Sequence, residues 1–225
     1  MVNAQSIRLR LALAAVAAVF VLPSAVAAQN KFSVTPWVGS YYAFSKFYDN
    51  DLSSGLHVSV SQTNTAMFGI RATIPVSPTI SAEGSFGYAK SAVNFRIEKF
   101  LTDTSTGQTF DLATAFKGSV LVGSLRAVIR PRRSNLSVIL GAIIVNHGGD
   151  AWQDSTLDGK KTSFGGVVGF GLRANVTPRF PIDIRAELNL YSYDPDKSDD
   201  TANGFYPGKL QQDLVVSIGV PLGGK

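Results

Sequence analysis

The chain has 225 residues, of which 21 are lysine or arginine and 16 are aspartate or glutamate, and it contains no cysteine. The absence of cysteine excludes stabilisation by disulfide bonds. The basic excess is small and no long run of Lys or Arg occurs, so the composition argues against a nucleic-acid-binding protein.

The N-terminus has the organisation of a secretory signal peptide. Arg8 and Arg10 precede an apolar core, and small residues at 25–28 suit a cleavage site. The apolar core is too short for a membrane-spanning helix, and no later run of 18 or more apolar residues follows. We therefore expect a cleaved signal at 1–28 and one domain at 29–225, which then has 19 basic and 16 acidic residues.

Eight segments of this domain alternate apolar and polar side chains with period two, as β-strands do. In chain order they are predicted at 31–44, 65–74, 80–95, 116–130, 136–147, 162–176, 182–191 and 210–220. They are about 10–16 residues long, which exceeds the usual soluble strand and suffices for a tilted strand to cross a bilayer. The fifth segment is apolar on both faces, so its orientation stays open.

The connections between these segments alternate strictly between long and short. The long ones run through 45–64, 98–115, 148–161 and 194–208, and the short ones, each with a proline, through 75–79, 131–135 and 177–180. This alternation predicts antiparallel strands in an up-and-down meander, with all the long connections at one end and all the short ones at the other. We expect the long connections to continue some strands outward as hairpins.

One face of the predicted strands is apolar, and the other carries balanced charges among small residues. The charged positions are Arg71, Glu83, Arg126, Arg173, Asp183, Arg185, Glu187 and Asp213. Lysine, which is common on solvated faces, is scarce on these strands. This composition suits a narrow lumen in which buried charges pair, so we predict a structural luminal charge network.

Two architectures fit the alternation. If the apolar face contacts lipid, the domain is an all-β, eight-stranded transmembrane barrel. Only a closed barrel gives every backbone N–H and C=O group of the strands a hydrogen-bond partner within the membrane. If the apolar face points inward, the domain is a secreted lipocalin-like carrier of small ligands. The charge pattern favours the first.

With its strands placed, the domain resembles the eight-stranded outer-membrane β-barrel family, the OmpA-like and OmpX-like transmembrane domains. The supporting stretches are VTPWVG at 34–39, SAEGSFGY at 81–88 and DLVVSIGV at 213–220, and the likeness is one of pattern across the whole domain. One departure is the terminal PLGGK, since family members often end on an aromatic residue.

This resemblance implies an outer-membrane protein with periplasmic termini and four long loops outside. Its expected partners are outer-membrane lipid, lipopolysaccharide and the barrel-assembly machinery, with an extracellular ligand for the loops as a further option. A monomer is expected, with no nucleic-acid partner. An eight-stranded barrel is just filled by its side chains, so no wide pore is expected.

Motifs for chemistry are weak. GFGLRA at 169–174 has the letters of a dinucleotide-binding fingerprint, but it lies inside a predicted strand. The acidic stretch at 194–200 does not have the residue spacing of an EF-hand calcium loop, which leaves at most a loose divalent-cation site.

His147, with Asp150 and Asp154, is the starting point for an alternative function as a lipid-modifying or proteolytic barrel enzyme, but the sequence singles out no nucleophile. We therefore expect no enzyme and no catalytic, cofactor or metal residues.

Overall fold

The structure, a computed structural model, describes residues 32–52, 56–99, 110–152, 162–177, 180–192 and 210–223. The predicted signal peptide and the acidic stretch at 194–200 lie outside these ranges. Within them, no helix is long and apolar enough to cross a membrane.

The described residues form thirteen strands and one short 3-10 helix. In chain order they are β1 (Ser33–Ala43), β2 (Tyr48–Leu52), β3 (Leu56–Gln62), β4 (Thr65–Pro75), β5 (Ile80–Lys90), β6 (Val93–Lys99), β7 (Phe110–Phe116), β8 (Ser119–Ile129), β9 (Leu136–Gly148), the 3-10 helix Asp150–Trp152, β10 (Thr162–Thr177), β11 (Phe180–Ser192), β12 (Leu210–Gly219) and β13 (Leu222–Gly223).

Eight long strands close into a ring in which every neighbour is antiparallel. The order is β1, β4, β5, β8, β9, β10, β11 and β12, and β12 returns to β1, with Trp37 opposite Gly219 and Ala43 opposite Asp213. Two residues of β13 extend the same edge of β1. The predicted eight-stranded, antiparallel, up-and-down barrel is therefore confirmed.

The barrel strands form because their side chains alternate between two environments. On β11 the charged residues Asp183, Arg185 and Glu187 are buried, whereas Ile184 and Ala186 between them are exposed. The same alternation resolves the fifth predicted strand, now β9. Its odd-numbered residues face the interior and its even-numbered residues face outward, from Leu136 to Asn146.

A second sheet extends the barrel beyond the rim of the long connections. Strands β2 and β3 lie in the first long connection and β6 and β7 flank the second, and they pair in the order β2-β3-β6-β7. The expected hairpins are thus present in these two connections. We call this rim the long-loop end and the opposite rim the short-turn end.

Two predicted strand boundaries were wrong where the second sheet leaves the barrel. The predicted strand at 80–95 is two strands, β5 and β6, and the segment from 116 divides between β7 and β8. The break is held by Ser91, whose backbone N–H donates to Gly118 O at 3.0 Å and whose hydroxyl donates to Thr63 O at 2.6 Å. These hydrogen bonds pair backbone groups at the point where the second sheet separates from the barrel sheet. The alternation of apolar and polar side chains does not predict where this separation occurs.

Candidate functional site

The outer surface of the barrel is apolar on every strand. Large exposed side chains include Val38, Phe68, Phe86, Leu125, Leu140, Phe170, Ile184 and Ile218. Among the outward-facing residues of the described barrel strands, Lys90 at the end of β5 carries the one charge. A water-soluble barrel would not expose such a continuous apolar belt, whereas a lipid-facing barrel requires one.

Charged side chains fill the interior, and their ion pairs cross it. Strands β5 and β11 lie opposite each other in the ring. Arg185 on β11 donates to both carboxylate oxygens of Glu83 on β5, at 2.6 Å and 2.9 Å. This two-bond geometry is the strong form of an arginine–carboxylate pair. Because it joins opposite walls, the pair lies across the lumen.

Two further arginines converge on the same carboxylates. Arg126 on β8 donates to Glu187 on β11 through a short hydrogen bond and lies 3.7 Å from Glu83, and Arg71 Nη2 lies 3.7 Å from Glu187. Arg71 also donates to the Ser217 hydroxyl at 2.6 Å and is fully buried, at 0% exposure. The shared carboxylates link four strands into one network.

Of the three remaining predicted charges, Arg173 and Asp183 extend this network and Asp213 lies outside it. Arg173 donates to both oxygens of Asp183, at 2.8 Å and 3.0 Å, and Asp183 also lies 3.4 Å from Arg185. Asp213 is separate and interacts with the hydroxyl groups of Tyr41 and Tyr191. The structure thus brings seven of the eight predicted residues into one cluster and places the eighth apart.

Trp37 is part of this interior, although sequence reasoning did not single it out. Its ring lies 4.8 Å from the Arg71 guanidinium, a cation–π contact. The ring lies against Gly69 of β4 and Gly87 of β5, where an added Cβ would meet it at 2.6 Å and 2.9 Å respectively. The signal available in the sequence was the pair of inward-facing glycines on adjacent strands.

Towards the long-loop end the interior becomes apolar. Residues from all eight barrel strands form a buried core there: Trp37, Tyr41, Met67, Ala89, Val120, Val122, Ile143, Val145, Val167, Tyr191 and Val215. This layer packs the lumen by van der Waals contact rather than by charge.

A second apolar cluster, which we call the cap, lies at this end of the barrel. It comprises Phe47, Val58, Val60, Val93, Ala151 and Trp152. Trp152 comes from the 3-10 helix after β9 and packs edge-on against Phe47 with 5.2 Å between ring centroids. Ala151 N–H donates to Lys117 O at 3.1 Å, which fixes the helix over the rim. The cap thus packs residues of the second sheet against residues at the mouth of the barrel. Sequence reasoning did not predict this cluster, because its members come from three separate connections.

His147, the starting point of the enzyme alternative, lies beneath the cap. Its ring stacks 4.6 Å from Trp152 and lies 3.4 Å from the Tyr191 hydroxyl. Asp150 is exposed, and Asp154 lies outside the described residues. Within the described ranges, no group of three His, Cys, Asp or Glu residues could hold a metal ion.

The GFGLRA motif at 169–174 lies within strand β10, as predicted from the sequence.

The sequence has no matching protein-family model, and no curated protein matches it. Solved structures with a similar fold include OprG from Pseudomonas aeruginosa, with 11% identity, coverage of 86% of this chain and 96% of that chain, and a TM-score of 0.48. AlkL in DMPC bilayers has 15% identity, coverage of 86% and 90%, and a TM-score of 0.49. Ail of Yersinia pestis, solved with the heparin analogue sucrose octasulfate, has 15% identity, coverage of 86% and 99%, and a TM-score of 0.42.

These likenesses are modest, and the fold assignment stands on the chain's own geometry. Eight antiparallel strands close on themselves, an apolar belt covers the outside, and arginines and carboxylates pair inside. Together these features identify the chain as an eight-stranded up-and-down transmembrane β-barrel.

Proposed function

We propose that the protein is an integral outer-membrane β-barrel that anchors an extracellular β-structure and conducts no large solute. The observation that carries this proposal is the polarity of the barrel wall, apolar outside and charged inside. A secreted carrier has the opposite polarity, with apolar residues lining its cavity. A closed barrel with an apolar exterior belongs in the bacterial outer membrane, where strands rather than helices cross the lipid.

A filled lumen supports a structural role over transport. Arg185 and Glu83 join opposite walls, and Arg71 of the same network is fully buried. Above this layer lies the apolar core, and above that the cap. Buried side chains thus occupy the lumen at three consecutive levels, as expected for an eight-stranded barrel.

The long-loop end is the functional surface in this proposal. The second sheet holds β2, β3, β6 and β7 above the rim, and the described ion pairs of this end, such as Arg96 with Glu98 at 2.8 Å, are partly exposed. A hydrogen-bonded sheet held above the barrel rim suits presentation of a binding surface to an extracellular partner. Lipopolysaccharide surrounds this end, the termini lie in the periplasm, and the barrel inserts as a monomer through the assembly machinery.

The test is fractionation followed by heat-modifiable gel mobility. The protein should sediment with outer membranes and migrate faster in SDS before boiling than after, because a closed ladder leaves no strand edge for detergent to attack. Recovery from the periplasm without detergent would overturn the membrane assignment. Purified protein in a planar bilayer should show no large stable conductance, and a large one would overturn the filled lumen.

Topology is tested on intact cells. Epitope tags inserted near Ser53, Thr106, Ser155 and Asn203 should be accessible to antibody from outside. Tags at the turns near Pro78, Arg133 and Pro178 should be accessible only after the outer membrane is permeabilised. Labelling of the second set on intact cells would reverse the proposed orientation.

A further inference from the structure

The turn between β8 and β9 concentrates positive charge at the short-turn end. Arg130, Arg132 and Arg133 lie within four consecutive positions, and the side chains of Arg132 and Arg133 are exposed. Among the described residues, none of these three arginines lies within ion-pairing distance of a carboxylate, and Arg130 Nε is buried without a hydrogen-bond partner. Asp183, which lies at this end of the lumen, is already held by Arg173 and Arg185.

This turn, which we call the basic turn (residues 130–135), is a defined structure. Ser134 N–H donates to Pro131 O at 3.1 Å, which closes a β-turn in which Arg133 has a φ of 65°. Arg130 N–H donates to Thr79 O at 2.8 Å. On the other side, Arg173 N–H donates to Asn135 O at 2.8 Å. The turn is therefore tied to both neighbouring strand pairs, and its guanidinium groups project from a fixed backbone.

The basic turn adjoins the lipid-facing surface directly. Ile80 and Ile129 lie opposite each other on β5 and β8, as do Leu136 and Leu172 on β9 and β10, and all four are exposed. Acyl chains that cover these four side chains place their headgroups at the level of the turn. The exposed guanidinium groups of Arg132 and Arg133 then lie beside lipid phosphates, which they match in charge and in bidentate geometry.

The long-loop end differs in how its charges are paired. Lys46 lies 2.9 Å from Asp49, and His57 lies 3.2 Å and 2.8 Å from Asp49 and Asp51. Lys46 is thus compensated within the protein, whereas no described carboxylate lies within ion-pairing distance of Arg132 or Arg133. Lipid phosphates beside the turn would supply that counter-charge.

We infer that the basic turn is a binding site for an anionic phospholipid headgroup of the periplasmic leaflet. This inference rests on the proposed function, since it requires the barrel to span the outer membrane with its short turns in the periplasm. Arg132 and Arg133 hold the phosphate, and the exposed aliphatic side chains of Ile129 and Leu136 contact the acyl chains. Cationic residues at a membrane surface each add modestly to the affinity for anionic lipid, so Arg132 and Arg133 together favour an anionic over a zwitterionic headgroup.

The experiment uses the full-length mature protein inserted into vesicles of equal parts phosphatidylcholine and phosphatidylglycerol. After gentle extraction, native mass spectrometry counts the lipids that remain bound. The wild type should retain phosphatidylglycerol over phosphatidylcholine. Arg132→Gln with Arg133→Asn should lower that preference by roughly tenfold or more. Asn at position 133 tolerates the positive φ, so the turn is preserved.

The matched control removes the same charge from the other end. Lys90 and Lys117 are exposed near the long-loop end, and Lys90→Gln with Lys117→Gln should keep the wild-type preference. Equal losses in both double variants would show general electrostatics and overturn the site, as would a wild type without preference. Binding of soluble peptidoglycan fragments through Arg132 and Arg133, with no lipid preference, would assign the turn to another class of ligand and also overturn the inference.

Folding is checked separately in every sample by heat-modifiable mobility. If the double variant does not fold, Arg132→Gln alone changes one exposed side chain and should give a partial loss of preference. A wild type that fails to insert at all defeats the proposed function. A wild type that inserts normally but shows no lipid preference defeats this inference alone.

Discussion

At the scale of single residues, the lumen depends on charges that share partners. Glu83 accepts two hydrogen bonds from Arg185, a third from the Thr73 hydroxyl at 2.9 Å, and lies 3.7 Å from Arg126. Removal of one charge from a buried network leaves its partners desolvated and uncompensated. The cost of such a removal exceeds the net contribution of the pair itself.

Glu83→Gln should therefore lower the free energy of unfolding by about 3–5 kcal/mol, because Arg185 loses its principal counter-charge. The control is Glu98→Gln, since Glu98 is only half-buried and pairs with the exposed Arg96 at 2.8 Å on the second sheet. That change should cost about 1 kcal/mol or less. Reversible urea unfolding in lipid vesicles measures both, and equal costs would contradict a buried network.

Gly69 makes a different prediction, which concerns space rather than charge. A Cβ at this position would lie 2.0 Å from Phe86 O and 2.6 Å from the Trp37 ring. Gly69→Val should destabilise the barrel by about 1–3 kcal/mol or more through overpacking. Gly84→Val is the control, because an added Cβ there meets only Leu125 Cδ2, at 4.0 Å. Similar unfolding free energies for the two variants would show that Trp37 does not fill this part of the lumen.

At the scale of elements, the cap joins three connections that are distant in sequence. Trp152 fixes the 3-10 helix against Phe47, and Phe47 N–H donates to Val60 O at 2.8 Å, so the helix, the β1–β2 segment and the second sheet are one unit. The unit lies above a barrel with its own core. We therefore expect the cap to lose its structure without loss of the barrel.

Trp152→Ala should loosen the cap, since removal of a buried tryptophan side chain costs about 3–5 kcal/mol. External protease should cut the second sheet faster in this variant, while the heat-modifiable band of the barrel stays. Leu112→Ala, at an exposed position of the same sheet, is the control and should match the wild type. Loss of the heat-modifiable band in Trp152→Ala would show that cap and barrel fold as one unit.

At the scale of the whole molecule, one face of each barrel strand contacts lipid and the other lines the lumen. Leu188 lies between Val168 and Leu214 on the outer surface, one residue from the luminal Glu187. Leu188→Arg should destabilise the barrel by about 2–4 kcal/mol if this position is near the bilayer midplane. Ser192→Arg, exposed at the end of the same strand, should cost about 1 kcal/mol or less. Unfolding in vesicles measures both changes. A harmless Leu188→Arg in a lipid-embedded barrel would mean that the faces are assigned wrongly.

The sequence alone predicts the number of barrel strands, their antiparallel order and the face of almost every one of them. This succeeds because period-two alternation and the positions of prolines are local properties, and a lipid environment makes the alternation strict on strands such as β11. It also placed the eight charged residues on one face. The orientation of β9 could not be read, because both of its faces are apolar: Ile139, Ile143 and Val145 pack inside while Leu140 and Ile144 face outward.

What only the tertiary structure decided is which residues meet across the lumen. Arg185 and Glu83 are 102 positions apart and come together because closure of β12 on β1 places their strands on opposite walls. The same closure separates Asp213 from the other charges, stacks Trp37 on two glycines and brings Phe47 and Trp152 into one cap. Alternation determines the face of a residue, but the register and closure of the ring determine its partners, and those depend on every strand at once.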